Sequence, residues 1–200
     1  VLDQSMWGYG WPGYVYEAWL VEHGEFQRTD DLRTLVYPAI LGALGEFMGS
    51  YADAGIMISS LSVLICAISV GIGATAMANG WAGGLAALCA TVALTHQEAP
   101  TTINQYPMLT AFCGMSLGTA LACSRWPRAL LAGCAGLATG LAWMVESRGL
   151  LVLPMVVALI GIGIWQPRSG KTWRLVLGFT FPLILCGLTR LAMVDAQRQP

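Results

Sequence analysis

The polar side chains that could carry out chemistry are confined to a few short stretches of this sequence. They are Asp3, Arg33, Tyr37, the triplets His96-Gln97-Glu98 and Asn104-Gln105-Tyr106, and the group Glu146-Ser147-Arg148. A carboxylate can take a proton from an attacking hydroxyl, and an arginine can bind phosphate through charge-assisted hydrogen bonds. These residue types therefore indicate a site for proton abstraction and anion binding.

Each of these groups also has a purely structural interpretation. Asp3 would then be a solvated loop acid or a helix cap, and Arg33 would anchor the loop to lipid phosphates. Glu146 and Arg148 would pair with each other or with neighbours at the membrane interface. The sequence leaves both interpretations open.

Metal and nucleotide chemistry have little support in the sequence. His96 and Glu98 are the one candidate pair, whereas a zinc site needs three or four protein ligands, so we predict no metal ligand. No P-loop, HExxH, GxSxG or dinucleotide-binding motif is present. The cysteines form no CxxC pair and fall in or beside apolar segments, which predicts small buried side chains at Cys66, Cys89, Cys113, Cys123, Cys134 and Cys186.

The elements that must position these groups follow from the apolar composition. Of the 200 residues, 56% are hydrophobic and 10% are charged, against roughly 25% charged residues in a soluble domain. A water-soluble domain cannot cover its surface with so few charges, and the same composition excludes disorder. A net charge of −1 without a basic cluster argues against nucleic-acid binding. The composition predicts an all-α polytopic membrane protein.

Six segments are long and apolar enough, or nearly so, to cross a bilayer as helices: residues 55–77, 79–95, 107–123, 130–145, 151–165 and 175–194. A turn at Asn79–Gly80 would join the first two. All 11 carboxylates fall in the loops at one end, whereas the loops at the other end hold no acid and five basic residues, namely Arg125, Arg128, Arg168, Lys171 and Arg174. By the positive-inside rule, the basic end lies in the cytoplasm.

Two further patterns concern packing and depth in the membrane. Gly114 with Gly118, and Gly136 with Gly140, have the small-xxx-small spacing that allows helices to approach closely. Four tryptophans fall at the predicted cytoplasmic boundary, as an aromatic belt does: Trp81, Trp126, Trp165 and Trp173.

The chain divides into an extracytoplasmic loop (residues 1–54), the helix bundle (55–194) and a tail or truncated continuation (195–200). In the loop, one helix would carry an apolar stripe from Trp11 to Trp19, and a second would carry a stripe of Val36, Ile40, Leu44 and Phe47. Such helices lie flat on the membrane, pack on the bundle, or do both. Because the sequence starts at Val1 within a hydrophilic stretch, we expect it to be a fragment with a preceding transmembrane helix.

The order of these features resembles the GT-C membrane glycosyltransferases, in particular the protein O-mannosyltransferase and aminoarabinose-transferase-like branch (glycosyltransferase family 39-like). Members have an acid soon after their first helix, two surface helices, and a basic stretch that ends in Tyr-Pro. Here Asp3, the two loop helices and the segment from Arg33 to Pro38 match that order. A Gly-rich helix, a short polar turn and an apolar run with a proline then match residues 136–154, so the resemblance covers most of the chain.

The resemblance implies transfer of a sugar from a polyprenyl-phosphate donor to a lipid, glycan or protein acceptor, on the non-cytoplasmic face of a bacterial cytoplasmic membrane. Asp3 would be the general base, with Glu98 and Glu146 as further catalytic candidates. Binding of substrate and lipid phosphate would fall to Arg33, Tyr37, Gln105 and Arg148.

The chain departs from the family in two places. Gln4 follows Asp3 where members commonly have a second acid, and residues 104–110 contain no carboxylate. A divalent metal is therefore possible but has no clear two-acid site, and no cofactor is assigned. Two other functions stay open, a transporter or permease and a non-catalytic membrane subunit of the same family.

Overall fold

The computed structural model describes residues 11–24, 36–96, 105–165 and 172–198, and every regular element in these ranges is helical. The two short helices at the start are α1 (Trp11–Glu22) and α2 (Val36–Met48). They are followed by α3 (Tyr51–Met77), α4 (Gly80–His96), α5 (Tyr106–Arg125), α6 (Ala129–Val145), α7 (Leu153–Trp165) and α8 (Thr172–Arg198), and a 3₁₀ helix (Ser147–Val152) leads into α7.

Four helical segments are long and apolar enough to cross a membrane, which is consistent with an integral membrane protein. They are Tyr51–Met77, Tyr106–Arg125, Ser147–Trp165 and Thr172–Asp195. The other two predicted spans are also helical but shorter, Gly80–Thr95 and Ala129–Val145. A 17-residue helix such as α6 is about 26 Å long at 1.5 Å per residue, slightly less than the hydrocarbon core of about 30 Å.

Local sequence signals fix the ends of α3. At its start, Ser50 caps the helix because its hydroxyl accepts a hydrogen bond from the Asp53 N–H at 3.3 Å. At its end, the side chain of Asn79 accepts a hydrogen bond from the Ala82 N–H at 2.9 Å and so starts α4. The predicted Asn79–Gly80 turn is confirmed.

Small residues determine how the long helices pack. Helix α5 is central and contacts α3, α6 and α7, while α8 packs on α6 and α4 packs on α3. A Cβ added at Gly118 would overlap the Ser69 carbonyl of α3, and one added at Gly136 would overlap the Phe179 carbonyl of α8. Gly114 and Gly140 contact the same two neighbours through Cys66 and Cys186. The predicted role of both glycine pairs is confirmed.

Two apolar clusters lie at opposite ends of the bundle. The first joins α1 and α2 to the start of α3, the start of α5 and the end of α6, with members such as Tyr14, Tyr37, Ala54, Met108 and Val145. The second joins the end of α5, the start of α6, α7 and the start of α8. We call these the loop end and the basic end, since Arg125, Arg128 and Arg174 flank the second cluster.

The buried face of α2 differs from the predicted one. Its buried residues are Tyr37, Pro38, Leu41, Gly42 and Gly45, whereas Val36, Ile40 and Leu44 are half-buried and Phe47 is 88% exposed. The cause is close packing, because a Cβ at Gly42 would lie only 3.2 Å from the Ala18 carbonyl oxygen of α1. Small residues let the two backbones approach, so they occupy the most buried part of the interface, while Val36, Ile40 and Leu44 of the predicted stripe stay half-buried against the same cluster.

All six cysteines are free thiols, and their burial varies. Cys66, Cys123 and Cys186 are buried, as predicted, and Cys113 and Cys134 are half-buried. Cys89 is exposed on α4, so the prediction of burial is wrong there. Helix α4 has a single neighbouring helix among the close contacts of the described chain, α3, which leaves its other side uncovered.

Candidate functional site

The loop end contains a carboxylate that is held on both sides. Glu146 ends α6 in an extended conformation, with its N–H donating to the Ala142 carbonyl at 3.0 Å. Its side chain is only 15% exposed. The chain then turns back through the 3₁₀ helix, where Gly149 lies so close to the Ala142 carbonyl that a Cβ would overlap it. This tight turn brings the residues after Glu146 back against α6.

Gln105 contacts Glu146 from the start of α5. Its amide nitrogen Nε2 donates to Glu146 Oε2 at 3.4 Å, across a sequence separation of 41 residues. The side chain of Gln105 is 7% exposed, and its Oε1 has no hydrogen-bond partner among the described residues. Two predicted site residues that are distant in sequence are thus brought together.

Arg148 contacts the other carboxylate oxygen. Its Nε lies 3.3 Å from Glu146 Oε1, and the arginine side chain is 73% exposed. An ion pair this open to solvent contributes about 0–1 kcal/mol to stability. The pairing predicted as the structural interpretation is therefore present, and the exposed guanidinium keeps further donors for an anion.

Tyr37, predicted to bind substrate, lies in the interior of the loop-end cluster. Its ring packs edge-on against Tyr14, with centroids 5.2 Å apart and an interplanar angle of 80°. The side chain is fully buried, and its hydroxyl has no hydrogen-bond partner in the described part of the chain. Burial, with a smaller contribution from Tyr14, raises the pKa of Tyr37 above its ordinary value of 10.0. In this arrangement Tyr37 is a core residue.

Three predicted site residues lie outside the described residues: Asp3, Arg33 and Glu98. Asp3 is predicted to be the general base, Arg33 to bind phosphate, and Glu98 to be a further catalytic candidate. These three roles stay predictions, because the observed contacts come from Gln105, Glu146 and Arg148.

Glu17 is a buried carboxylate that the sequence patterns did not single out. It lies one helical turn after Tyr14 and beside Ala18 on α1, and it is 6% exposed. The available signal was an acid within an apolar helix, but the stripe predicted for α1 placed it on the solvent side. Glu22, five residues later, accepts a hydrogen bond from the Tyr51 hydroxyl and so ties α1 to the start of α3.

Arg190 is a second residue that the patterns missed. It lies in the predicted span 175–194, and its guanidinium donates to the Trp143 carbonyl near the end of α6. The same group lies over the Trp143 ring, 5.5 Å from its centroid. The last carbonyls of a helix lack intrahelical partners and carry partial negative charge, so a cation stabilises them. A lone cation in a predicted span was the signal.

The described residues contain no cluster of potential metal ligands at this end. No group of three or more His, Cys, Asp or Glu that could hold a metal ion occurs in the described ranges. One concavity of about 550 Å³ lies at the basic end instead, lined by Gly80, Trp81, Gly84, Leu85 and Leu88. Its lining is apolar, so it offers no chemistry.

No protein-family model, curated protein or solved structure matches this chain. What the site can do follows from its own groups. It combines a mostly buried carboxylate, a buried amide oxygen without a donor, and an exposed guanidinium, at one end of a bundle of apolar helices.

Proposed function

We propose that this chain is a membrane glycosyltransferase that moves a sugar from a polyprenyl-phosphate donor to an acceptor hydroxyl. The observation that carries the proposal is the carboxylate of Glu146, held between Gln105 and Arg148 at the loop end. A carboxylate and an amide can form hydrogen bonds with sugar hydroxyls, and the exposed arginine can bind a phosphate.

The position of the site supports a lipid-linked substrate. The polyprenyl tail of such a donor stays in the bilayer, so its phosphate and sugar reach only as far as the membrane edge. Gln105 and Glu146 lie directly at the ends of α5 and α6, where the apolar segments finish. Helices α1 and α2 pack over the same end.

The topology proposed with this function has six spans and the loop end outside. Basic residues Arg125, Arg128 and Arg174 flank the other end, which the positive-inside rule assigns to the cytoplasm. Trp81, Trp126, Trp165 and Trp173 are all exposed at helix ends on that side, as residues of an interfacial belt are. The proposed location is a bacterial cytoplasmic membrane.

The reaction is a displacement at the anomeric carbon. The acceptor oxygen forms the new bond to that carbon, the bond from the carbon to the phosphate oxygen breaks, and its electron pair leaves on the lipid phosphate. The acceptor proton passes to a carboxylate. We assign it to Asp3, because Glu146 already accepts from Gln105 and Arg148 and is better placed to hold substrate. Arg148, with Arg33, would stabilise the phosphate as charge develops on it.

A transporter has less support from the described helices. Transport sites place polar groups that need partners near the middle of the membrane. The buried hydroxyls of α5 and α6 already have partners, since Thr139 donates to the Ala135 carbonyl at 2.8 Å and accepts a hydrogen bond from the Ser116 hydroxyl at 2.5 Å. These hydroxyls join helices instead of lining a path.

The test is sugar transfer by the protein in membranes, with labelled polyprenyl-phosphate sugars as donors. We expect wild type to transfer, and Asp3→Asn to lower turnover by about 10²–10⁴-fold, the usual contribution of a positioned base. Ser62→Ala, which removes a buried hydroxyl bonded to the Ile58 carbonyl within α3, serves as the control and should retain activity. Transfer that survives Asp3→Asn moves the base to Glu98 or Glu146. No transfer with any donor, from folded protein, would contradict the proposal and favour a transporter or a non-catalytic subunit.

A further inference from the structure

The amide of Gln105 has a defined orientation. Its Nε2 points to Glu146 Oε2 at 3.4 Å, because the flipped amide would place two acceptor oxygens against each other. Oε1 is therefore the atom left over, buried and without a hydrogen-bond partner in the described chain. A buried acceptor without a donor is destabilising, so its presence beside a candidate site points to a ligand that supplies the donor.

Glu146 has acceptor capacity left as well. An ionised carboxylate offers about four lone-pair positions on its two oxygens. Gln105 Nε2 occupies one position on Oε2, and Arg148 Nε occupies one on Oε1. The two side chains together form a largely buried, acceptor-rich pair, and a ligand that reaches them must bring at least two hydrogen-bond donors.

The charges and acceptors around this pair decide which class of ligand fits. A phosphate or a carboxylate brings acceptors alone and would face Oε1 and the carboxylate unfavourably. A divalent cation or an ammonium group would add positive charge next to Arg148, which already balances the charge of Glu146. Neighbouring hydroxyls of a neutral polyol bring two donors and no charge. They are the class that fits.

We propose that Gln105 and Glu146 bind two neighbouring hydroxyls of a neutral sugar, so that this pair reads the sugar ring of the donor. The proposal rests on the proposed function and narrows its substrate class to a sugar that carries no ionised group. The phosphate then lies on the exposed side of Arg148, whose guanidinium has donors to spare. Gln105 becomes a specificity residue whose loss affects the sugar and leaves the lipid phosphate contact intact.

The experiment measures equilibrium binding to the purified full chain in lipid nanodiscs with three probes. The probes are a polyprenyl phosphate without sugar, one that carries a neutral hexose, and one that carries a uronic acid. We expect wild type to bind the neutral-sugar lipid about tenfold or more tighter than the bare lipid phosphate, and the uronic-acid lipid no tighter than the bare one. Gln105→Leu should remove the preference for the neutral sugar, so that this variant binds the neutral-sugar lipid no tighter than it binds the bare lipid phosphate. Ser62→Ala, a loss of a buried polar group elsewhere in the bundle, should keep the wild-type pattern.

The outcomes separate the two proposals. If bare and neutral-sugar lipids bind wild type equally, or if folded Gln105→Leu keeps the preference, the sugar-reading pair is overturned while a lipid-phosphate site stands. Binding of the uronic-acid lipid that is tighter than binding of the bare lipid phosphate overturns the sugar-binding pair too. The three-probe comparison on wild type is independent of whether the variant folds. If no probe binds folded wild type, the glycosyltransferase proposal itself fails.

Discussion

Replacing Tyr37 by Phe should make the protein more stable. The Tyr37 hydroxyl is fully buried and has no hydrogen-bond partner among the described residues. A buried polar group without a partner costs about 1–3 kcal/mol. The edge-on packing against Tyr14 survives the change because the ring is kept, and the void left by one oxygen costs a few tenths of a kcal/mol. The expected net gain is about 1–2 kcal/mol.

The assay is thermal unfolding in a fixed detergent or bicelle mixture. A gain of 1 kcal/mol shifts the midpoint by roughly 2–4 °C in a chain of this length. The matched control is Tyr51→Phe, because that hydroxyl donates a hydrogen bond to Glu22 and its removal should leave stability unchanged or lower it. A Tyr37→Phe protein that loses more than about 1 kcal/mol would refute the reasoning, since the hydroxyl would then have a partner. A gain in both variants would refute it as well, because the effect would not depend on the missing partner.

Three further outcomes follow from the packing and the charges. Alkaline pH should lower the stability of wild type from about pH 10 upward, because the pKa of Tyr37 is raised in the folded state and the unfolded chain therefore loses this proton first. In a series of unfolding midpoints measured at increasing pH, Tyr37→Phe should lose less stability than wild type over the same range. Arg190→Leu should lower the free energy of unfolding by about 1–3 kcal/mol by leaving the Trp143 carbonyl without its donor, and Arg190→Lys should recover part of that loss in the same unfolding assay. Gly118→Val should lower the free energy of unfolding by more than about 2 kcal/mol, or prevent folding, because the new side chain meets the Ser69 carbonyl. Gly84→Ala, with open space around its Cβ, should be neutral or stabilising by about 0.5–1 kcal/mol. Equal effects of the two variants on yield and melting temperature would contradict the α3–α5 contact.

The sequence was informative where one strong physical signal acts alone. Apolar length placed the long helices within a few residues of their observed positions, and the Asn79–Gly80 turn was readable because asparagine caps the following helix. The small-xxx-small spacings Gly114–Gly118 and Gly136–Gly140 predicted close helix contacts because only a residue without a Cβ fits against a neighbouring backbone. Each of these features depends on local chemistry.

Features that depend on which helices pack together could not be predicted from the sequence. Helix α2 buries Tyr37 and Gly42 in place of Phe47 because α1 approaches its backbone at Gly42, and no periodicity within α2 reveals that neighbour. Glu17 is buried for a related reason, since the side of α1 that meets the protein is determined by α2. The contact of Gln105 with Glu146 joins two helix ends 41 residues apart. The predicted spans put both residues at the same end of the bundle, but no pattern in the sequence predicts the contact between them.

The carbonyl end of α6 explains why two arginines are found near Glu146. A helix C-terminus carries partial negative charge, and a carboxylate placed there is unfavourable unless cations compensate. Arg190 binds the Trp143 carbonyl and Arg148 pairs with the Glu146 carboxylate, so the cations in the described part of this end are partly committed to balancing charge that the fold itself creates. Arg190 is held by both a carbonyl and an aromatic ring, whereas Arg148 is 73% exposed and has a single charged partner. Of the two, Arg148 is therefore the one whose guanidinium has donors left for the phosphate of the proposed lipid-linked sugar, and it can bind that phosphate while its Nε stays paired with Glu146.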